Sequence, residues 1–200
     1  MTRPRRYGDT GQAFPIYITV VGGLLFLAFA YFAVGQATVN RNGAQTAADA
    51  AALAAAQDRR DQLAGAWIQD LLDPIKWDEI FDGAADGLAL SCWRADQLAA
   101  QNAAEVLNCA PEGLLGYTVE VRSTESVGES IVPGTEDFKS EATATAVIKS
   151  LCGFELPAED AEEETLPLLT CKDREWELDP EDSEELLPKP EDLFDVHLSD

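Results

Sequence analysis

Four cysteines, one histidine, a cluster of carboxylates and four tryptophans are the side chains whose chemistry bears weighing first. Cys92, Cys109, Cys152 and Cys171 suit either disulfides or a metal ion. No CxxC spacing and no histidine pair accompanies them, so the metal reading is the weaker. An unbroken helix over residues 92–109 would part its two sulfurs by about 25 Å. A disulfide needs Cα atoms within about 7 Å. A turn back near Asn102 removes the conflict, because ten helical residues advance about 15 Å and seven extended ones return about 23 Å. Cys92–Cys109 and Cys152–Cys171 are therefore the favoured pairs of the three pairings that four cysteines allow.

The other candidates are weaker. His197 stands alone near the end of an acidic stretch, where a nucleophile–histidine pair would lack rigid placement. Asp78, Glu79 and Asp82 are able to do acid/base work, but read as a solvated face. Of Trp67, Trp77, Trp93 and Trp176, three are expected to fill a small core rather than stack on a sugar. No phosphate-cradling glycine loop and no EF-hand spacing is present. No catalytic residue, cofactor or metal site is expected, and the chain does not read as an enzyme.

Charge narrows the partners. Fourteen basic residues face 37 acidic ones, a net charge of −23, which repels a phosphate backbone and makes nucleic acid a poor partner. From Phe154 to Asp200 there are 18 acids against Lys172, Arg174 and Lys189 alone. With five prolines and few aromatics, residues 154–200 are expected to form an acidic, largely disordered tail, which Leu166, Leu168 and Leu169 would tack down in part.

The elements that must position these groups begin with an apolar run. No charge occurs between Asp9 and Arg41. Residues 14–39 are long enough to cross a bilayer as helix, which takes about 20 apolar residues. Arg3, Arg5 and Arg6 precede the run and only Arg41 follows closely, so a cytoplasmic N-terminus (residues 1–13) and an outer C-terminal domain are expected. Tyr17 and Tyr31 suit the two interfaces. A cleaved signal peptide is the rival reading, with small Gly35 and Ala37 where a peptidase reads; the apolar run exceeds the usual length for one.

Residues 40–73 read as an Ala-rich helix continuing from the membrane, with Asn42-Gly43 a joint and Leu63, Trp67, Ile68, Leu71 and Leu72 an apolar face. Pro74 ends it, and Ile75–Phe81 adds a short helix. Residues 74–153 are expected to form a small outer α+β domain. Cys92–Gln101 is its helix, Asn102 a left-handed stop, and Glu105–Cys109, Tyr117–Ser123 and Glu141–Ile148 its antiparallel strands. Gly128, Pro133 and Gly134 suit a loop between the last two.

Gly11-Gln12-Ala13, Pro15 at the start of the span, and the run Gln45-Thr46-Ala47-Ala48-Asp49-Ala50-Ala51-Ala52-Leu53-Ala54 resemble the TadE/TadG-like proteins of Flp (tight-adherence) pilus assembly, the actinobacterial members most closely. Gly11, Gln12, Gln45 and Asp49 carry the resemblance. It implies a pilin-like, non-enzymatic component of a surface pilus or its assembly platform, anchored by its N-terminal helix. Its partners would be the membrane and other assembly proteins, met through Ala-rich helix packing in a homo- or hetero-oligomer. Ile16 stands five residues after Gly11, where processed pilin precursors carry a glutamate, which points to an anchored accessory protein rather than the major subunit. A second function class remains open: an anchored or secreted binding module whose acidic tail meets a basic partner or cations.

Overall fold

The computed structural model describes residues 13–126, 137–156, 166–179 and 186–199. The basic N-terminus with Gly11 and Gln12, and the expected loop glycines and Pro133, lie outside them.

Helix α1 runs unbroken over Ala13–Gln69, a length of about 85 Å at 1.5 Å per residue. Pro15 is tolerated because it lies in the first turn, where an amide has no intrahelical acceptor. Asn42-Gly43, expected as a joint, is ordinary helix. The helix stops at Gln69, earlier than Pro74 alone requires. Trp77 Nε1 donates to the Asp70 carbonyl at 3.1 Å and Lys76 Nζ to Asp70 Oδ1 at 2.6 Å, which ties the next segment back across the helix end. That hydrogen bond to Asp70, with the Asp70 charge, raises the Lys76 pKa above its ordinary value. Leu72, expected on the apolar face, lies past the helix end and is exposed.

A single 3-10 turn at Pro74–Lys76 leads into α2 (Trp77–Phe81), and α3 spans Cys92–Gln101. Strands β1 (Ala104–Pro111), β2 (Gly116–Ser123) and β3 (Glu141–Ser150) follow, each antiparallel to the next. The three short strands β4 (Cys152–Phe154), β5 (Leu169–Cys171) and β6 (Arg174–Trp176) make a second antiparallel sheet. The chain closes with α4 (Pro190–Leu193) and β7 (Phe194–Leu198), which pairs with β3, so the main sheet runs β1-β2-β3-β7. This is an α+β fold: a long helix laid on a small antiparallel sheet.

The face of the sheet against the helices is set by alternation. Tyr117, Val119 and Val121 of β2 point in, as do Ala144, Ala146 and Ile148 of β3, and all are buried. The opposite face is polar. There Thr118 and Thr145 share a hydrogen bond of 2.8 Å and Arg122 pairs with Glu141 at 2.7 Å. In β1 the register shifts between Val106 and Asn108. Val106 opposes Val121 and Cys109 opposes Val119, so the bulge puts two positions three apart on the same inward face. Without it, strict alternation would turn Cys109 to solvent, away from α3.

The acidic stretch from residue 154 departs from the expectation of a largely disordered tail. Its described residues form β5, β6, α4 and β7. Leu169, Leu193 and Phe194 are buried in the common core, while Asp173, Glu175, Glu177 and Glu191 point to solvent. Exposed acids thus stand beside buried apolar residues along this stretch, and composition averages the two together.

Candidate functional site

The N-terminal half of α1 is built from apolar side chains that no other described residue covers. From Phe14 to Phe32 every side chain is exposed, Phe26 at 72% and Tyr31 at 85%. These 19 residues span about 28 Å as helix, close to the hydrocarbon thickness of a bilayer at about 30 Å. Water-soluble surfaces seldom carry an apolar strip of this extent. The two threonine hydroxyls of residues 14–39 are satisfied from within the helix. Thr19 Oγ1 donates to the Pro15 carbonyl at 2.7 Å and Thr38 Oγ1 to the Val34 carbonyl at 3.0 Å. An unpaired hydroxyl in hydrocarbon costs several kcal/mol, so this back-bonding suits the segment to a lipid surrounding.

Past Val39 the same helix changes its neighbours. Ala44, Ala47, Ala48, Ala51, Ala52, Ala55 and Ala56 are buried, along with Leu63, Ala64 and Trp67. They meet β2, β3, β7 and α3, and the facing positions are small as well: Ala144 and Ala146 on β3, Ala95 and Ala99 on α3. Small side chains on both sides let the helix backbone lie close to the sheet. The Ala-rich run was expected to offer a packing surface to neighbouring proteins. Its buried face is instead occupied by the chain's own sheet and α3, because alanine on several sides of a helix admits two neighbours at once.

Gln45 and Asp49 flank this seam one turn apart. Gln45 Nε2 donates to Asp49 Oδ1 at 2.8 Å, and both line a small cleft with Thr143, Thr145, Leu198 and Ser199 at the rim of β3 and β7. The pair closes the edge of the Ala seam where the C-terminal strand ends. Residues 11–58 match the family model described as putative Flp pilus-assembly TadE/G-like. No curated protein and no solved structure matches the chain.

The segment matched by the family model ends inside α1, and later residues add polar ties between the helix and the α+β domain. Gln62 binds Asp58 at 2.8 Å and Ser91 Oγ at 3.2 Å, and accepts the Ala89 amide at 2.7 Å. Buried Ser91 receives its own support from the Tyr117 hydroxyl, which accepts its amide at 3.2 Å. Gly83, with φ +88°, turns the chain out of α2; a Cβ there would meet Leu115 Cδ2 at 2.8 Å.

Cys92 is bonded to Cys109, with Cα atoms 5.8 Å apart, and Cys152 to Cys171, at 4.0 Å. The first bond joins α3 to β1 across the turn at residues 102–103. Asn102 does not take the left-handed conformation expected of it. Its Nδ2 instead donates to the Leu98 carbonyl at 2.8 Å, and Ala103 takes the positive φ of 53°. The second bond joins opposed residues of β4 and β5.

The structure does not bring the weaker candidates together. Asp78, Glu79 and Asp82 are exposed on the outer side of α2, opposite buried Trp77, Ile80 and Phe81. His197 lies on β7 rather than in a disordered tail, with Nδ1 3.1 Å from Asp195 Oδ2, and is exposed. Trp67 and Trp77 are buried 5.4 Å apart and lead into an aromatic chain through Phe154 and Phe81 to Phe194. Trp93 is 57% exposed and Trp176 half-buried beneath the Arg174 guanidinium, so two indoles rather than three form the centre of the core.

Proposed function

We propose that the chain is a non-enzymatic, membrane-anchored, pilin-like component of Flp/Tad-type pilus assembly or secretion at the cell surface. The observation that carries this reading is a coincidence along one helix. The family match at residues 11–58 covers both the exposed apolar half of α1 and the alanine seam that docks the outer domain on its other half. A single helix that is free of its own domain at one end and buried in it at the other is an anchor with a display domain.

Residues 14–39 are read as a retained span, with the N-terminus in the cytoplasm. The three arginines ahead of the run support this orientation, and so do two disulfides beyond it, which persist in oxidising surroundings. Contacts to other assembly proteins fall to the apolar half of α1. Gly22, Gly23 and Gly35 there have open space where a Cβ would stand, which allows a second helix to approach closely.

A binding module acting through a free acidic tail is the less favoured reading. Residues beyond Phe154 supply β5, β6 and β7 and part of the core, so removing them at that point would unfold the domain instead of isolating an arm. Deletion of the gene tests the proposal. Loss of surface pili and of adhesion, restored by the full chain, is expected; pili and adhesion unchanged in the deletion strain would sink it.

A further inference from the structure

Basic residues are scarce outside the N-terminus, yet three of them meet at one end of the domain. Arg41 of α1, Arg122 at the end of β2 and Lys139 just ahead of β3 line a single cleft of about 840 Å³. Asp137 and Glu141 are the acids in its lining, so three bases stand against two acids there, in a chain whose net charge is −23. Arg122 is already engaged, by Glu141 at 2.7 Å and by Glu105 at 3.8 Å. Arg41 and Lys139 enter no ion pair among the described residues, which leaves two guanidinium or ammonium groups free for an outside anion. Phe138, between Asp137 and Lys139, is 69% exposed beside them.

The position of the cleft matters as much as its charge. Arg41 lies two residues past Val39, the last exposed apolar residue of the run, or about 3 Å further along the helix. The polar headgroup layer of a bilayer adds roughly 5–7 Å beyond the hydrocarbon on each side. A chain anchored through residues 14–39 therefore holds Arg41 at headgroup depth, and Arg122 and Lys139 with it. The far end of the domain, with the β5–β6 hairpin at Lys172-Asp173, stands about 30 Å away along the ten residues of β3.

We propose that this membrane-facing end is a binding site for the phosphate headgroups of anionic phospholipids, built by Arg41 and Lys139 beside the paired Arg122 and seated by insertion of Phe138. The inference rests on the reading of residues 14–39 as a span. Its consequence is that α1 and the domain packed on it are held at a fixed tilt to the bilayer. The chemistry is that of bases near a charged surface, each worth about fivefold in binding, with an aromatic wedge at the boundary.

Lys139 is itself a tryptic site, so protection reports the contact directly. The full chain is reconstituted into phosphatidylcholine vesicles with and without phosphatidylglycerol, and cleavage after Lys139 is followed by mass spectrometry against cleavage after Lys172. Phosphatidylglycerol is expected to slow cutting after Lys139 at least fivefold and leave Lys172 unchanged. Arg41→Gln and Phe138→Ser should each remove most of that protection without altering the rate at Lys172, which guards against a folding defect. Equal protection by excess inorganic phosphate in phosphatidylcholine vesicles overturns the lipid in favour of a free anion. Equal cutting in both vesicle types, in a chain that resists alkaline extraction, overturns the headgroup site and leaves the anchor standing. Extraction of the chain at alkaline pH overturns the anchor and this site together.

Discussion

Ala103 follows the end of α3 with φ 53°, a conformation that glycine adopts freely and alanine does not. The left-handed region costs a residue with a Cβ about 1–2 kcal/mol, and glycine loses about 0.5–1 kcal/mol more chain entropy than alanine on folding. Ala103→Gly is therefore expected to stabilise the domain by about 0.5–1 kcal/mol, read as a higher urea midpoint in the full chain in detergent. A lower midpoint would show that the Ala103 methyl makes contacts that outweigh the strain. The position also marks a limit of residue-level reading. Cysteine spacing demanded a reversal near residue 102, and the reversal is there. Asparagine was the residue whose chemistry advertised it, yet Asn102 is used as a side-chain cap and the turn passes to a neighbour that carries no signal. The β1 bulge at residues 106–108 is similar: Cys109 must face α3, but nothing in Val-Leu-Asn says where the extra residue falls.

At the scale of the element, α1 was readable as a helix over its whole length and unreadable as a surface. Alanine's propensity and the missing charges announce a helix. A facing direction is read from contrast between apolar and polar positions, and a run with alanine on nearly every side offers little contrast. The sheet and α3 settle the matter by covering Ala47, Ala48, Ala51, Ala52, Ala55 and Ala56 from two directions. Ala51, with no exposed surface, lies in the middle of that seam. Ala51→Leu adds three carbons where helix and sheet already touch, and overpacking of this kind costs about 1–3 kcal/mol. Ala28→Leu, on the exposed apolar half of the same helix, should leave the unfolding midpoint of the domain unchanged. If both variants unfold alike, the alanines are not the seam that joins α1 to the domain. Strands β2 and β3, by contrast, could be placed from their alternation to within a few residues, because each has one buried and one solvated face.

For the whole molecule, the question is what orders the acidic C-terminal quarter. Averaged over 47 residues, its charge and prolines describe a disordered segment. Residue by residue, Phe194-Asp195-Val196-His197-Leu198 alternates as a strand does, and β7 is that strand. The average hid it because acids fill many of the positions that the core does not need. Order there should follow from apolar burial and from the ladder to β3, with charge a minor term. Phe194 is the sharpest probe: it is 1% exposed, its ring lies 5.6 Å from Phe81, and it begins the strand. Truncation of a buried phenylalanine costs about 3–5 kcal/mol, so Phe194→Ala should lose that much stability and release β7 from β3. Amide exchange at Val196 and Leu198 would report the release, since both lie in the ladder opposite Ile148 and Ala146. Neutralising exposed acids, as in Asp173→Asn with Glu175→Gln, should move stability by no more than about 0.5 kcal/mol. A Phe194→Ala chain as stable as the parent, or an acid-neutral chain much more stable, would mean that the segment's order is governed by its charge. The distinction decides how any shortened chain is to be interpreted. A cut ahead of β7 leaves Ile148 at a bare sheet edge and opens the core beside Phe81, so lost pilus assembly after such a cut would report an unfolded domain and not a missing acidic arm.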